Sequence, residues 1–311
     1  MGTRYLARRQ LSCPRQDAEL LLAAALECDR AFLFAHPETL LSPEQERLFW
    51  RWLRKRGRHY PIQYLTGRQE FYGRSFLVTP AVLIPRPETE LAVETALELL
   101  QGWRESSLFA LDIGTGSGAI AVSLALEDPR LRVTAVDISA TALEVARRNA
   151  LRLGGADRVE FLRSNVASAL RTVSSLYHVV VCNPPYVAWE RRREVDYSVL
   201  KYEPRSAVFA GENGLEVYRK VLSQVQPILK PNGFLVVELG HSQVDPVRRL
   251  GADYGWSPVT LRQDLSGIDR CLVFRPRGAL ERVAPHQQGA PGASEPGLCT
   301  GFRREASEAP R

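Results

Sequence analysis

Leu108-Phe109-Ala110-Leu111-Asp112-Ile113, followed by Gly114-Thr115-Gly116-Ser117-Gly118, decides the fold of this chain. The first six residues read as a buried strand. The alternating glycines let the backbone turn sharply and approach a ligand closely before a helix over Ser117–Leu126. Downstream, the pattern repeats. Leu131–Asp137 reads as a strand and Ala140–Leu153 as a helix ending at Gly154-Gly155. Arg158–Arg163 and His178–Cys182 read as strands, Leu215–Leu229 as a helix, and Pro231-Asn232-Gly233 as a turn into strand Phe234–Leu239. A helix over Val244–Ala252 and strands near Pro258–Arg262 and Arg270–Phe274 complete the series. Such alternation predicts an α/β architecture: a mainly parallel sheet with helices on both faces.

Upstream the pattern is helical, over residues 1–69. Gln16–Cys28 carries a Leu20-Leu21-Leu22 stripe. Ser42-Pro43-Glu44-Gln45 is a helix start, with Ser as N-cap, Pro at the first position and Gln at the third. The helix after it places Leu48, Phe49, Trp52 and Leu53 on one side and ends in Arg54-Lys55-Arg56-Gly57-Arg58, where cations complement the C-terminus. Residues 70–84 read as a β-hairpin turning at Gly73. Pro85-Arg86-Pro87 breaks the chain before a helix from Glu88 to Leu100. Residues 277–311 are rich in Gly, Pro, Ala and Ser with few large apolar groups, so they are expected to be disordered.

A chain of 311 residues, 45% hydrophobic and 24% charged, fits a globular protein of two domains. No apolar run reaches the length of a membrane span. The net charge of +6 suits an acidic or RNA-rich partner without demonstrating one. The five cysteines (Cys13, Cys28, Cys182, Cys271 and Cys299) are scattered and form no CxxC pair. That argues against zinc and against a secreted disulfide framework, so a reduced cytoplasm and a metal-free site are expected. Arg4, Arg8, Arg9 and Arg15 give the first residues a transit-peptide charge pattern without its serine richness.

Asp137 closes the strand after the glycine loop, at a spacing that suits a carboxylate accepting hydrogen bonds from both hydroxyls of a ribose. With Ala119, the loop also satisfies the G-x-G-x-x-A pattern of nicotinamide and flavin proteins. Residues 112–137 thus indicate an adenosine-type cofactor without choosing one.

The choice comes from Asn183-Pro184-Pro185-Tyr186, directly after the apolar strand. The prolines fix their own φ near −65° and bias each preceding residue toward extended geometry, so the turn is stiff. The Asn183 carboxamide oxygen and the Pro184 carbonyl can each accept one hydrogen of a planar NH2 group. The tetrapeptide resembles motif IV of amino-methyltransferases, which transfer a methyl group from S-adenosyl-L-methionine to an NH2 nitrogen. Asp112 before the glycines, where it can help orient a cationic ligand, and a loop without a phosphate-binding Lys or Arg also favour that donor over a dinucleotide. Ser164-Asn165 is expected near the adenine, although Asn165 reads equally as a strand-end cap.

A further series occurs in order: Val82–Glu90, Asp112–Ile120, Asn183–Tyr186, Glu203-Pro204-Arg205-Ser206-Ala207, Gly211–Leu222, Glu238-Leu239-Gly240 and Asp264-Leu265-Ser266-Gly267. In this series the chain resembles the peptide-chain release factor glutamine methyltransferases (PrmC/HemK family) over residues 10–276. The resemblance implies a Rossmann-like class I S-adenosyl-L-methionine-dependent methyltransferase sheet over 85–276. It also implies a small helical substrate-recognition domain over 1–69, joined by the hairpin at 70–84.

The implied activity is methylation of the side-chain amide nitrogen of the glutamine in the Gly-Gly-Gln motif of class I release factors, leaving S-adenosyl-L-homocysteine. Asp112, Gly114, Thr115, Gly116, Ser117, Gly118, Asp137, Asn165, Val166 and Asn183 are the candidate donor contacts. Val166 stands where the family often has an aromatic residue. Asn183, Pro184 and Tyr186 are the candidate catalytic residues. With Pro185, Arg86 and Glu88 they form the candidate substrate contacts, although Arg86 and Glu88 also read as ion-pair and helix-start charges. The expected partner is the release factor, with no membrane, no direct nucleic acid and a monomeric chain. Two rivals share the Asn-Pro-Pro-Tyr turn. A ribosomal-protein glutamine methyltransferase usually has Pro-Arg-Ser-Pro where this chain has Pro85-Arg86-Pro87-Glu88. An N6-adenine nucleic-acid methyltransferase would find support in Arg51–Arg58, which reads more simply as a solvated helix face.

Overall fold

Residues 1–170 and 176–278 are described by the computed structural model; the tail expected to be disordered lies, beyond Gly278, outside them. Five helices come first: α1 (Gly2–Ala7), α2 (Pro14–Leu26), α3 (Arg30–Ala35), α4 (Pro43–Arg56) and α5 (Ile62–Thr66). The capping box at α4 forms as read. Ser42 Oγ accepts from Gln45 N at 3.2 Å and Gln45 Oε1 accepts from Ser42 N at 2.9 Å. Leu6, Leu21, Phe49, Leu53 and Leu65 make the core of this domain, and Leu21 alone of the leucine triplet is fully buried. Arg56 on α4 pairs with Asp17 on α2 at 2.7 Å. The short helices α1 and α3 were not anticipated, because six residues show too little periodicity to read.

Strands β1 (Arg68–Phe71) and β2 (Arg74–Leu77) form the hairpin. Tyr72 and Gly73 both have positive φ (50° and 69°), as a two-residue type I′ turn requires. The hairpin starts and ends earlier than 70–84. Gly67, at φ 74°, ends α5 and redirects the chain, while Pro80 and Pro85 cannot donate to a continuing ladder. Buried Asn149 holds the hairpin to the rest: its Oδ1 accepts from Leu77 N at 2.7 Å, and its Nδ2 donates to Leu77 O and Ser117 O, each at 2.9 Å.

After α6 (Glu90–Leu100) the alternation begins. Strand β3 (Leu108–Ile113), α7 (Ala119–Glu127), β4 (Leu131–Asp137), α8 (Ala140–Leu153), β5 (Val159–Arg163) and β6 (Tyr177–Cys182) follow in turn. Short helices α9 (Tyr197–Tyr202) and α10 (Arg205–Val208) lead to α11 (Glu216–Val225), β7 (Leu229–Glu238), α12 (Val244–Asp253), β8 (Trp256–Gln263) and β9 (Asp269–Pro276). Helix α7 starts at Ala119 rather than Ser117, because Gly118 takes φ 82° as its N-cap. Helix α11 gives way at Pro227 to a 3-10 turn, and β7 takes in Pro231-Asn232-Gly233 at an irregularity in its pairing with β6.

The sheet order is β5-β4-β3-β6-β7-β9-β8; the first five strands are parallel, and β9 and β8 run antiparallel at one edge. One apolar cluster fills the α6/α7 side and another the α11/α12 side, burying the central strands on both faces. The connections from β3 and from β6 leave in opposite directions, so a crevice opens at their carboxyl ends, which is where open α/β sheets bind ligands. The helical domain sits beside this edge: Tyr64 Oη donates to Val82 O at 2.6 Å and Tyr202 Oη to Arg58 O at 2.9 Å.

Candidate active site

A cavity of about 330 Å³ occupies the crevice, bordered by the glycine loop, the ends of β4, β5 and β6, and the segment Ala81–Thr89. Gly114, Gly116 and Gly118 all have positive φ, and a Cβ on Gly118 would stand 3.1 Å from that of Ala146 on α8. Close helix packing and a left-handed turn thus both require glycine there. Asp137 anchors the loop. Its Oδ2 accepts from Gly116 N at 2.9 Å and its Oδ1 from Ser139 N at 2.8 Å. Each oxygen keeps a further lone pair, which a ribose diol can use.

Asp112 is fully buried and does not reach the cavity wall. Its Oδ2 accepts from Thr115 Oγ1 at 2.7 Å and Ala121 N at 3.1 Å, while Oδ1 has no hydrogen-bond partner. Burial pushes its carboxyl up to about 7. Asp112 therefore shapes the loop from behind, and the structure does not bring it to the ligand cavity as a contact to the methyl donor. Gly114, Thr115, Gly116, Ser117, Asn165 and Val166 all line the cavity, whereas Gly118 stands behind it. Val166 is buried with φ 58°. A β-branched residue there is strained, and such strain concentrates at ligand-binding sites.

At the end of β6, Asn183, Pro184 and Pro185 border the same cavity. Asn183 Nδ2 donates to Thr89 Oγ1 at 3.1 Å, which leaves Asn183 Oδ1 as an acceptor for an incoming NH2. Tyr186 is not part of the cavity lining. Its ring packs beside Gly240, where a Cβ would lie 2.7 Å from Tyr186 Cδ2, and its carbonyl accepts from Gln243 Nε2 at 2.9 Å. Burial pushes its hydroxyl up to about 12. In this geometry Tyr186 buttresses the turn.

Arg86 borders the cavity, but its guanidinium is engaged by Glu203 Oε1 at 2.6 Å; Glu203 Oε2 accepts from Ile84 N at 3.1 Å. Glu88 lies off the lining, 3.9 Å from Arg270. The ion-pair reading therefore describes both residues here. Sequence reasoning assigned no role to Thr89, Glu203 or Glu238, although all three stood in the segments it singled out. For Glu238 the signal was a charge closing an otherwise apolar strand. Among the described residues no cluster of three metal-ligating side chains occurs.

Two family models match the chain: the PrmC N-terminal domain over residues 1–67 and the methyltransferase small domain over residues 93–201. A release factor glutamine methyltransferase of Koribacter versatilis is 44% identical over 88% of this chain and 95% of its own length. One of Moorella thermoacetica is 41% identical over 88% and 95%. Among solved structures, the hMettl16 catalytic domain, in complex with an RNA hairpin, has a TM-score of 0.53 at 16% identity. It covers 65% of this chain and 76% of its own, a likeness of fold alone.

Proposed function

The chain belongs to the release factor glutamine methyltransferase family, and from that premise we propose that it methylates the side-chain amide nitrogen of the glutamine in the Gly-Gly-Gln motif of class I release factors. The observation that carries this reading is the placement of Asn183 and Pro184 on the same cavity as the glycine loop and Asp137. A holder for a planar NH2 group thereby faces a holder for an adenosine-type ligand.

S-adenosyl-L-methionine fits the second holder, by Asp137 toward the ribose, Asn165 and Val166 toward the adenine, and the glycine loop toward the remainder. When bound, it supplies a sulfonium methyl that is already electrophilic. The task of the protein is then alignment. Asn183 Oδ1 and Pro184 O each accept a hydrogen bond from the amide NH2. They favour pyramidal nitrogen and stabilise the positive charge that develops as it takes the methyl group. Once methylated, the nitrogen is strongly acidic, and its proton passes to water without a dedicated base. Stiffness in the Pro184-Pro185 turn, with Tyr186 wedged behind it, keeps both acceptors in register.

The helical domain beside the crevice is the candidate grip on the release factor. The reading needs one chain, no membrane and no nucleic acid, and it places the protein in the cytoplasm with the translation machinery. The test offers labelled methyl donor with a release factor, a ribosomal protein and DNA in parallel. Label in the release factor alone supports the proposal; label only in the ribosomal protein or only in DNA overturns it.

A further inference from the structure

Glu238 is a strongly buried carboxyl at the crevice that the mechanism above leaves without a task, and unlike Asp112 and Glu203 it holds no loop or ion pair described so far. It is 3% exposed and its Oε2 has no hydrogen-bond partner. Strand register explains its position. Cys182 pairs with Val237, so Glu238 on β7 stands beside Asn183 at the carboxyl edge of the sheet. Side chains alternate along strands. Val181 and Val236, two residues earlier, both pack on the face covered by α6. Asn183 and Glu238 therefore project to that same face, where Thr89 leads into α6. Thr89 is itself buried, and its hydroxyl stands near enough to the Glu238 carboxyl to favour the carboxylate.

An asparagine carboxamide can sit in either of two orientations, which exchange its oxygen and its NH2. Only one of them presents an acceptor to a substrate amide. A hydroxyl has one proton, and giving it to one neighbour obliges it to accept from the other. We propose that Glu238 and Thr89 are positioning residues for Asn183: the carboxylate accepts from the Thr89 hydroxyl, the hydroxyl oxygen accepts from Asn183 Nδ2, and Asn183 Oδ1 is left facing the substrate NH2. This deepens the function proposed above and rests on it. The relay also explains why an acid ends an apolar strand. A neutral Glu238 carboxyl can donate to Thr89 instead, which competes with Asn183 Nδ2 and frees the carboxamide to turn.

Burial pushes the Glu238 carboxyl up to about 7, so the relay switches on as pH rises through neutrality. The charges around it are Arg270 from β9 and Arg86 and Glu88 from the segment before α6. Its other titratable neighbours are Tyr186, Tyr218, Cys182 and Cys271, all raised by burial and so neutral across that range. Asp112 also titrates near 7, so the two carboxyls must be separated by mutation.

The experiment uses the full chain with a release factor substrate. Thr89→Val, which keeps shape and removes the hydroxyl, is expected to lower kcat by roughly tenfold to a hundredfold, the worth of one oriented hydrogen bond. Donor affinity should stay within about twofold, and Thr89→Ser should restore turnover. In the wild type kcat/KM should rise from about pH 6 to about pH 8; in Glu238→Gln that rise should vanish, because the amide cannot titrate. Unchanged kcat in Thr89→Val, or the same pH rise in Glu238→Gln, overturns the relay. A wild-type protein that binds the donor yet never methylates glutamine overturns the proposed function instead, so the two failures are told apart.

Discussion

Replacing Asp112 with asparagine isolates the electrostatic cost of the glycine loop. The carboxyl is fully buried, with two donors on Oδ2 and none on Oδ1, and burial raises it from 3.8 to about 7. In the unfolded chain the group loses its proton near its ordinary value; in the folded chain it keeps the proton until about 7. Its favourable share of stability is therefore complete below the unfolded value, is lost as pH rises toward the folded value, and changes little above it. Roughly three units at about 1.4 kcal/mol each make an effect of about 4 kcal/mol, of which about two thirds falls between about pH 5 and about pH 8. Asparagine keeps the oxygen that accepts from Thr115 and Ala121 and removes the ionisation. Urea unfolding of the ligand-free proteins across that range is the assay. Wild type should lose about 2–3 kcal/mol more than Asp112→Asn; the slope due to Glu238 is common to both. Parallel stability curves would refute the reasoning, since they would mean that Asp112 carries no buried charge.

Asn183→Ala should lower kcat by about a hundredfold to a thousandfold, as removal of one preorganised hydrogen-bonding group at a developing charge does, with donor affinity nearly unchanged by equilibrium titration. Turnover like that of the wild type would contradict the amide-holding role. Glu203→Ala strands the Arg86 guanidinium and the Ile84 N–H. It should destabilise the fold by about 2–4 kcal/mol in urea unfolding, less than a fully buried pair because Arg86 is a third exposed. A stability within about 0.5 kcal/mol of wild type would show that the pair does not secure this segment.

The alternating strands and helices, the glycine loop and the Ser42 capping box were legible because each is written in a short window: an apolar run, a left-handed turn, a box of four residues. The short helices α1 and α3 were not, since one turn and a half carries no period. The site divided along the same line. Asn183, Pro184, Asp137 and the glycines announced themselves by local chemistry. Thr89, Glu203 and Glu238 did not, because their roles depend on partners brought close only by folding: Thr89 on Asn183, Glu203 on Arg86 and Ile84, and Glu238 on strand register. Asn149 is the same case inside a helix, where a polar residue reads as surface until Leu77 and Ser117 close around it. Tyr186 gains a packing role that its place beside two prolines did not show, with its ring beside Gly240.

The central claim is that the NH2 held by Asn183 and Pro184 belongs to one glutamine. Fragmentation mass spectrometry of a class I release factor incubated with this protein and S-adenosyl-L-methionine tests it most directly. The account predicts the mass of one added methylene on the glutamine of the Gly-Gly-Gln motif, present with wild type and nearly lost with Asn183→Ala. An unmodified Gly-Gly-Gln glutamine, or the added mass on another residue, would contradict it.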